Sequence, residues 1–321
     1  MKSRSVSLTG ATGFLGWHLA AAFRERGWRV RAIVRPNHAK PLPPGVEPRP
    51  AALHPAALGP AIAGTDVFVH AAALTHAGNE DVMRAVNVDG TRAIVDAAND
   101  AGTRLIFISS QAAIGTGTPD RPSREDDAPR PLNAYGRSKR DAEQHLRAHA
   151  RVPWTILRPS AIYGPRDRQF LPLFRLALRG WFLLATRPDM AFTLIYAEDV
   201  ARAVVMAADA PRVAGESLFL GHPDPQTTEA LLKQLATLAG RRYTPTRVPR
   251  VAVRALAGAG DVAWRFGVAP LIDASRLAEL EAEGFVCSCD RARDVLGFTA
   301  ATACPDGLAR TLRWYREQAW L

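Results

Sequence analysis

The chain has 321 residues, 47% hydrophobic and 22% charged, enough for one nucleotide-sized core and a smaller appended lobe. A net charge of +10 suits nucleic acid or an acidic membrane surface, but the arginines are scattered and no aromatic-basic strip stands out. The excess therefore reads as composition, and nucleic acid is excluded as a partner. Cys287, Cys289 and Cys304 are too few and badly spaced for a zinc cage, which excludes a metal site and points to a reducing compartment.

Ser5-Val6-Ser7-Leu8 is short and rich in strand formers. It begins almost at Met1, which leaves no room for a signal peptide and sets a cytoplasmic expectation. Residues 14 to 26 keep helical apolar spacing, so Thr9-Gly10-Ala11-Thr12-Gly13-Phe14-Leu15-Gly16 falls at a strand-to-helix turn. Such a turn presents backbone N–H groups and the positive end of a helix dipole to a pyrophosphate, and side chains at the glycines would hold the phosphates off. Val30-Arg31-Ala32-Ile33-Val34, Asp66-Val67-Phe68-Val69-His70 and Leu105-Ile106-Phe107-Ile108-Ser109 read as buried strands, with helices near 56–63, 80–101 and 134–150 between them. The alternation predicts an α/β fold with a doubly wound parallel sheet, binding its ligand at the carboxyl ends of the strands.

Tyr135 and Lys139 stand four apart on a predicted helix. A phenol of ordinary pKa near 10 is a poor base at neutral pH, and an ammonium one turn away favours its ionised form. Only Lys2, Lys40, Lys139 and Lys233 among the 41 basic residues are lysines, so a lysine at this spacing carries information. The second strand ends Ile33-Val34-Arg35-Pro36 with no acid before Glu47. A carboxylate there commonly selects NAD, whereas a 2′-phosphate needs a cation, so this end favours NADP over NAD with Arg35 as the phosphate contact.

On Thr9 to Gly16, Asp66 with His70-Ala71-Ala72, Asn87-Val88-Asp89-Gly90-Thr91, Ser109-Ser110, Tyr135-Gly136-Arg137-Ser138-Lys139 and Arg158-Pro159-Ser160-Ala161-Ile162-Tyr163-Gly164-Pro165, the chain resembles an extended short-chain dehydrogenase/reductase. That superfamily includes nucleotide-sugar epimerases, 3β-hydroxysteroid dehydrogenases and dihydroflavonol reductases. The resemblance implies a Rossmann-type fold and assigns the proton transfer to Tyr135, the nicotinamide ribose to Lys139 and the substrate oxygen to Ser110, with Ser109 the neighbouring candidate. Asn87 would support the helix and a water-linked proton path. Cofactor contacts fall to Gly10, Thr12, Gly13, Phe14, Leu15, Gly16, Arg35, Leu53, Ala71, Ala72, Ala73 and Pro159 as well as the Tyr–Lys pair. Ala51-Ala52-Leu53 stands where relatives carry Gly-Asp-Leu, so the adenine-side carboxylate is absent. Substrate contacts fall to Ser110, Gln111, Ser160 and Ala161.

Gln111-Ala112 after the catalytic hydroxyl lacks the acids that dehydration needs, and Ala161 replaces an asparagine common in sugar epimerases. Both point to the steroid dehydrogenase and dihydroflavonol reductase side. Phe170 and Phe174 are candidates for a substrate wall, from an apolar run that a core would equally use. The expected division is a dinucleotide domain over 1–165 with 190–210 returning to it, and a substrate lobe over 166–189 and 211–321. The long loop from Gly115 to Asn133 has the length of a lid. Residues 251–271 are apolar in places, but Arg254, Asp261 and Arg265 interrupt them, which argues against a spanning helix. A helix that covers an apolar substrate or touches a membrane is the remaining use.

The expected activity is interconversion of a carbonyl and a secondary alcohol on a small, partly apolar molecule, with NADP preferred. A nucleotide-sugar epimerase and a non-catalytic dinucleotide-binding sensor or scaffold are the alternatives. Dimerisation through a helix pair is usual among similar proteins, and the residues do not specify it.

Overall fold

The computed structural model describes residues 4–321. Seven parallel strands form the central sheet: β1 (Ser5–Thr9), β2 (Arg29–Val34), β3 (Glu47–Pro50), β4 (Val67–His70), β5 (Arg104–Ile108), β6 (Trp154–Pro159) and an edge strand, Ser217–Leu220. Their order is edge strand, β6, β5, β4, β1, β2, β3. The chain therefore starts in the middle, runs outward to β3, then crosses back to β4. That reversal opens a crevice between β1 and β4 at their carboxyl ends, where such sheets bind ligands.

The strands are apolar throughout because both faces are covered, and successive side chains go to opposite sides. Val67, Val69, Ile106 and Ile108 pack with α1 (Phe14–Glu25) on one face. Phe68, Leu105 and Phe107 pack with α2 (Pro55–Ile62) on the other. The predicted helix over 80–101 is three pieces: α3 (Glu80–Arg84), a π-helical turn over Ala85–Asp89, and α4 (Gly90–Ala101). Next comes α5 (Ala134–His149), which carries Tyr135 and Lys139.

Two boundaries differ from expectation. The strand Ser217–Leu220 lies in the main sheet, paired with β6, although the sequence division put it in the second lobe. Its four residues are all buried, so it closes an edge that β6 would otherwise leave open. The stretch around Phe192–Tyr196 does not rejoin that sheet: among the described residues Leu194–Tyr196 pairs only with Ala161–Tyr163. What returns is a helix. After α6 (Leu171–Leu178), α7 (Ala197–Asp209) lays Val200, Ala203 and Val204 on the α1 face of the sheet.

The second lobe has its own core. Tyr163 of the short strand Ala161–Tyr163 meets Phe174, Leu231, Leu308 and Tyr315 there, drawn from α6, α8 (Thr228–Leu238) and the last helix of the chain. Two further helices, α9 (Arg250–Arg265) and α10 (Ala274–Leu280), form a hairpin over the crevice rim, and α11 (Cys304–Glu317) closes the lobe. The Tyr315 hydroxyl donates to the Asp167 carbonyl at 2.6 Å, tying α11 to the segment that leaves the first domain.

Candidate active site

The loop after β1 is built for close backbone approach. Gly10 has φ +80°, and a Cβ there would stand 2.8 Å from Ala72 N and 2.9 Å from the Ala71 carbonyl carbon. A Cβ at Gly16 would stand 2.0 Å from Gly10 O, so α1 can start this near β1 only with glycine there. Gly13 is the N-cap of α1; no side chain caps the helix and its first turn holds no acid. Gly13 is also exposed, so the positive end of the helix faces an open crevice. This arrangement fits an anionic diphosphate. Thr12, Phe14 and Leu15 are half-buried around it, as are Ala71, Ala72 and Ala73 across the crevice.

A buried network holds the two loops together. His70 Nδ1 lies 2.7 Å from Thr9 Oγ1, and Nε2 lies 3.2 Å from Thr91 Oγ1. Thr9 Oγ1 also accepts from Ala71 N and Ala72 N, while Thr91 donates to the Asn87 carbonyl at 2.6 Å. A neutral ring protonated at Nε2 satisfies every one of these bonds. Burial pushes its pKa down to about 3, with the Lys139 charge lowering it further, which keeps the ring neutral.

Three of the predicted catalytic groups meet at the ends of β5 and α5. Ser110 caps a short 3₁₀ turn, its hydroxyl accepting from Ala112 N at 3.2 Å, and it stands near enough to the Tyr135 phenol to favour the ionised form. Ser109 is committed elsewhere. Its hydroxyl donates to Glu143 at 2.5 Å, and Glu143 is clamped by Arg158 at 2.6 and 3.0 Å. All three are buried, so the arginine of the Arg158-Pro159 motif holds a carboxylate behind the site.

Burial pushes the Tyr135 phenol up to about 12; the nearby Ser110 hydroxyl opposes this and the Glu279 carboxylate adds to it. Lys139 is buried, donates to Ile108 O at 2.7 Å and lies 4.5 Å over the Phe107 ring. Burial lowers its pKa to about 7, and Glu143 one turn on pulls it back up.

Asn87 sits in the π-helical turn, a feature frequent at functional sites that the apolar periodicity did not reveal. Its amide donates to Leu74 O and to Ser138 Oγ, and its Oδ1 accepts from Leu74 N. Ser138 in turn donates to the Tyr135 carbonyl. Asn87 thus spans the loop after β4 and the first turn of α5.

Sequence reasoning missed Asn133 and Glu279. Asn133 caps α5 through Gly136 N at 2.9 Å and donates to Glu279 of α10 at 2.7 Å. The α9–α10 hairpin therefore touches the tyrosine's own helix cap. It is fastened further by Trp264 to Asp273 at 3.1 Å and by His76 to Asp273 at 3.3 Å. The loop from Gly115 to Asn133, expected as a lid, is strapped down instead: Gly117 and Ser123 bridge to Phe285 and Cys287, and Glu125 accepts from Phe219 N. The only local signal for α10 was Asp273 as a helix cap.

Other candidates are placed as follows. Arg35 is exposed just past β2 and makes no ion pair among the described residues. Leu53 is exposed beyond β3, and Pro159 is buried at the end of β6. Gln111 Nε2 and Ser160 Oγ are buried without a hydrogen-bond partner among the described residues, while Ala161 is exposed. Phe170 is half-buried against Tyr163; Phe174 is a core ring set edge-on to Tyr315 and is kept from the crevice by that packing. A cavity of about 480 Å³ lies on the Leu277 and Leu280 side of α10, its lining both apolar (Leu184, Val248, Val253) and charged. Among the described residues no cluster of His, Cys, Asp and Glu could hold a metal, and no helix is long and apolar enough to cross a membrane.

A parallel sheet with this glycine cradle and a Ser–Tyr–Lys group at its carboxyl end defines an extended short-chain dehydrogenase/reductase. More specifically, the chain belongs to the NAD dependent epimerase/dehydratase family, whose profile matches residues 6–221. It is accordingly an NAD-dependent enzyme of the oxidoreductase or epimerase kind. It is 32% identical to a ceramide reductase of Caulobacter vibrioides, covering 98% of this chain and 96% of that one. It is also 32% identical to a 4-hydroxy-2-methyl-3-oxo-4-farnesyl-3,4-dihydroquinoline-1-oxide ketoreductase of Stigmatella aurantiaca, covering 94% and 93%. Among solved structures it is similar to MoeE5 in complex with UDP-glucose and NAD, at 26% identity and TM-score 0.79, covering 98% of this chain and 99% of that one.

Proposed function

We propose that the protein reduces a ketone on a partly apolar substrate to a secondary alcohol, taking hydride from NADPH. The observation that carries this reading is the convergence of Ser110, Tyr135 and buried Lys139 at the end of β5, beside a crevice with a diphosphate cradle. The dinucleotide would lie with its diphosphate over Gly10, Gly13 and Gly16 and supply the hydride. Ser110 orients the carbonyl oxygen, and Tyr135, neutral at working pH, donates the proton to it. The resulting phenolate is stabilised by the Lys139 charge. Asn87 positions the first turn of α5. The unpaired Gln111 amide and Ser160 hydroxyl await polar groups of the substrate, since buried polar atoms are rarely left unsatisfied. The cavity beside α10 holds the non-reacting part. The names of two relatives pair reduction with a molecule bearing a long hydrocarbon chain, which supports an apolar substrate.

Incubation with NADPH and a panel of long-chain ketones tests this reading against UDP-glucose as the rival substrate. We expect one NADPH oxidised per alcohol formed. Epimerised sugar nucleotide without net NADPH loss would overturn it. In the same assay Arg35→Ala should raise KM for NADPH by roughly tenfold or more and leave NADH unaffected, the loss of about 1.5–3 kcal/mol from one charged hydrogen bond. Equal effects on the two cofactors would remove Arg35 from the 2′-phosphate site.

The pH profile follows from Lys139. Its pKa in the free enzyme is lowered to about 7, so it is charged below that pH and neutral above it, while Tyr135, at about 12, stays protonated throughout. With NADPH as the varied substrate, kcat/KM reports the free enzyme. It should hold at low pH and fall as pH rises through about 7. A profile that is flat across this range would show that the ammonium is not required.

A further inference from the structure

The described surface carries eleven large exposed apolar side chains, and six of them (Val251, Leu256, Val262, Phe266, Val268 and Leu271) lie within residues 251–271. The helical repeat explains the row of Val251, Val262 and Phe266, while Leu256 lies on the flank of α9 and Val268 and Leu271 follow it in the chain. Val253, Ala257 and Gly260 are the buried face of α9. At 100° per residue Val251, Ala255 and Val262 fall on the opposite side, with Phe266 continuing the row at the C-cap. That is a contiguous apolar face with no covering element among the described residues, which single scattered apolar residues do not produce.

Charge borders this face on one side. Arg250, Arg254, Asp261 and Arg265 follow one another along the helix between the buried and the outward rows, three cations to one acid. Arg254 is paired with Glu281 at 2.8 Å, whereas Arg250 and Arg265 make no ion pair among the described residues. Residues 241–271 contain six arginines and one acid, Asp261, so half of the chain's net +10 lies in about a tenth of its length. An apolar row edged by arginines matches an anionic bilayer surface: the side chains enter the acyl boundary while the guanidiniums stay at the phosphates. A second copy of the chain would bring the same arginines against each other.

The helix also stands at the rim of the site. Trp264 donates to Asp273, a Cβ at Gly78 in the loop after β4 would strike the Trp264 ring at 2.6 Å, and Val253 on the buried face lines the cavity beside α10. We infer that the outward face of α9 and residues 266–271 dock the protein on an anionic membrane surface, so that a lipid substrate enters from the bilayer. The entry of substrate rests on the ketone-reductase reading; the docking does not.

Co-sedimentation with vesicles of phosphatidylcholine and phosphatidylglycerol, compared with phosphatidylcholine alone, tests the docking without turnover. The wild-type protein should pellet with the anionic vesicles and be released by high salt, each surface arginine contributing about fivefold. The triple variant Val251→Asp, Val262→Asp, Phe266→Asp alters exposed side chains only and should stay in the supernatant. Its dinucleotide binding and its reduction of a short water-soluble ketone should match wild type, so loss of docking is separable from failure of the catalytic reading. Wild-type protein left in the supernatant, or a triple variant that pellets equally, would overturn the inference. Ultracentrifugation that finds a wild-type dimer converted to monomer by the same triple variant would also overturn it, assigning the face to a second copy.

Discussion

Tyr135→Phe is expected to lower the turnover number for ketone reduction by roughly a thousandfold, within the range that a positioned proton donor contributes. The substitution keeps the ring and removes only the hydroxyl beside Ser110. Because Tyr135 is half-buried and only its hydroxyl is removed, the folded structure should lose no more than one hydrogen bond's worth of stability, about 0.5–1.5 kcal/mol. Dinucleotide affinity, measured by fluorescence quenching, should change little, since the cradle lies on the loop after β1. Steady-state rates within tenfold of wild type would remove Tyr135 from the proton-transfer step. A large loss of dinucleotide binding would reassign it to positioning the cofactor.

The glycine loop should separate steric from ligand effects. Gly16→Ala places a methyl 2.0 Å from Gly10 O, a backbone atom that cannot step aside without moving β1 or α1. We expect both a lower melting temperature and loss of dinucleotide binding. At Gly13 a Cβ would meet only Gly10 O, at 3.2 Å, and the backbone there (φ −88°, ψ 177°) is one that alanine adopts freely. Gly13→Ala should therefore melt close to wild type and still bind dinucleotide more weakly, because the new methyl projects into the open crevice. Displacing one phosphate oxygen from a backbone N–H costs about 1.5–3 kcal/mol, a factor of roughly 10–150 in Kd. Wild-type affinity in Gly13→Ala, measured by calorimetry, would move the diphosphate off this helix end.

The site was legible where its residues are near in sequence. Gly10, Gly13 and Gly16 belong to one turn, and Tyr135 and Lys139 to one turn of α5, so spacing alone brought each set together. The family resemblance favoured Ser110 and left Ser109 as its neighbouring candidate. In the structure Glu143, 34 residues on and held behind the sheet by Arg158, takes the Ser109 hydroxyl, which supports that preference. Asn133 and Glu279, 146 residues apart, gave no joint signal, since each alone reads as a helix cap or a surface acid. Phe174 shows the opposite limit: an apolar residue on a helix reads the same whether it faces a ligand or, as here, Tyr315.

By itself the amino-acid order determined the alternation of buried strands with helices, and with it the parallel sheet and the crevice at its carboxyl ends, because periods of two and of 3.6 residues are local properties. Only the tertiary structure decided the edges and the cover. Ser217–Leu220 joins the sheet because β6 offers an open edge, the Gly115–Asn133 loop is strapped by residues 284–288, and the α9–α10 hairpin reaches the cap of the tyrosine helix. Those contacts join residues far apart along the chain, so no local period or spacing announces them.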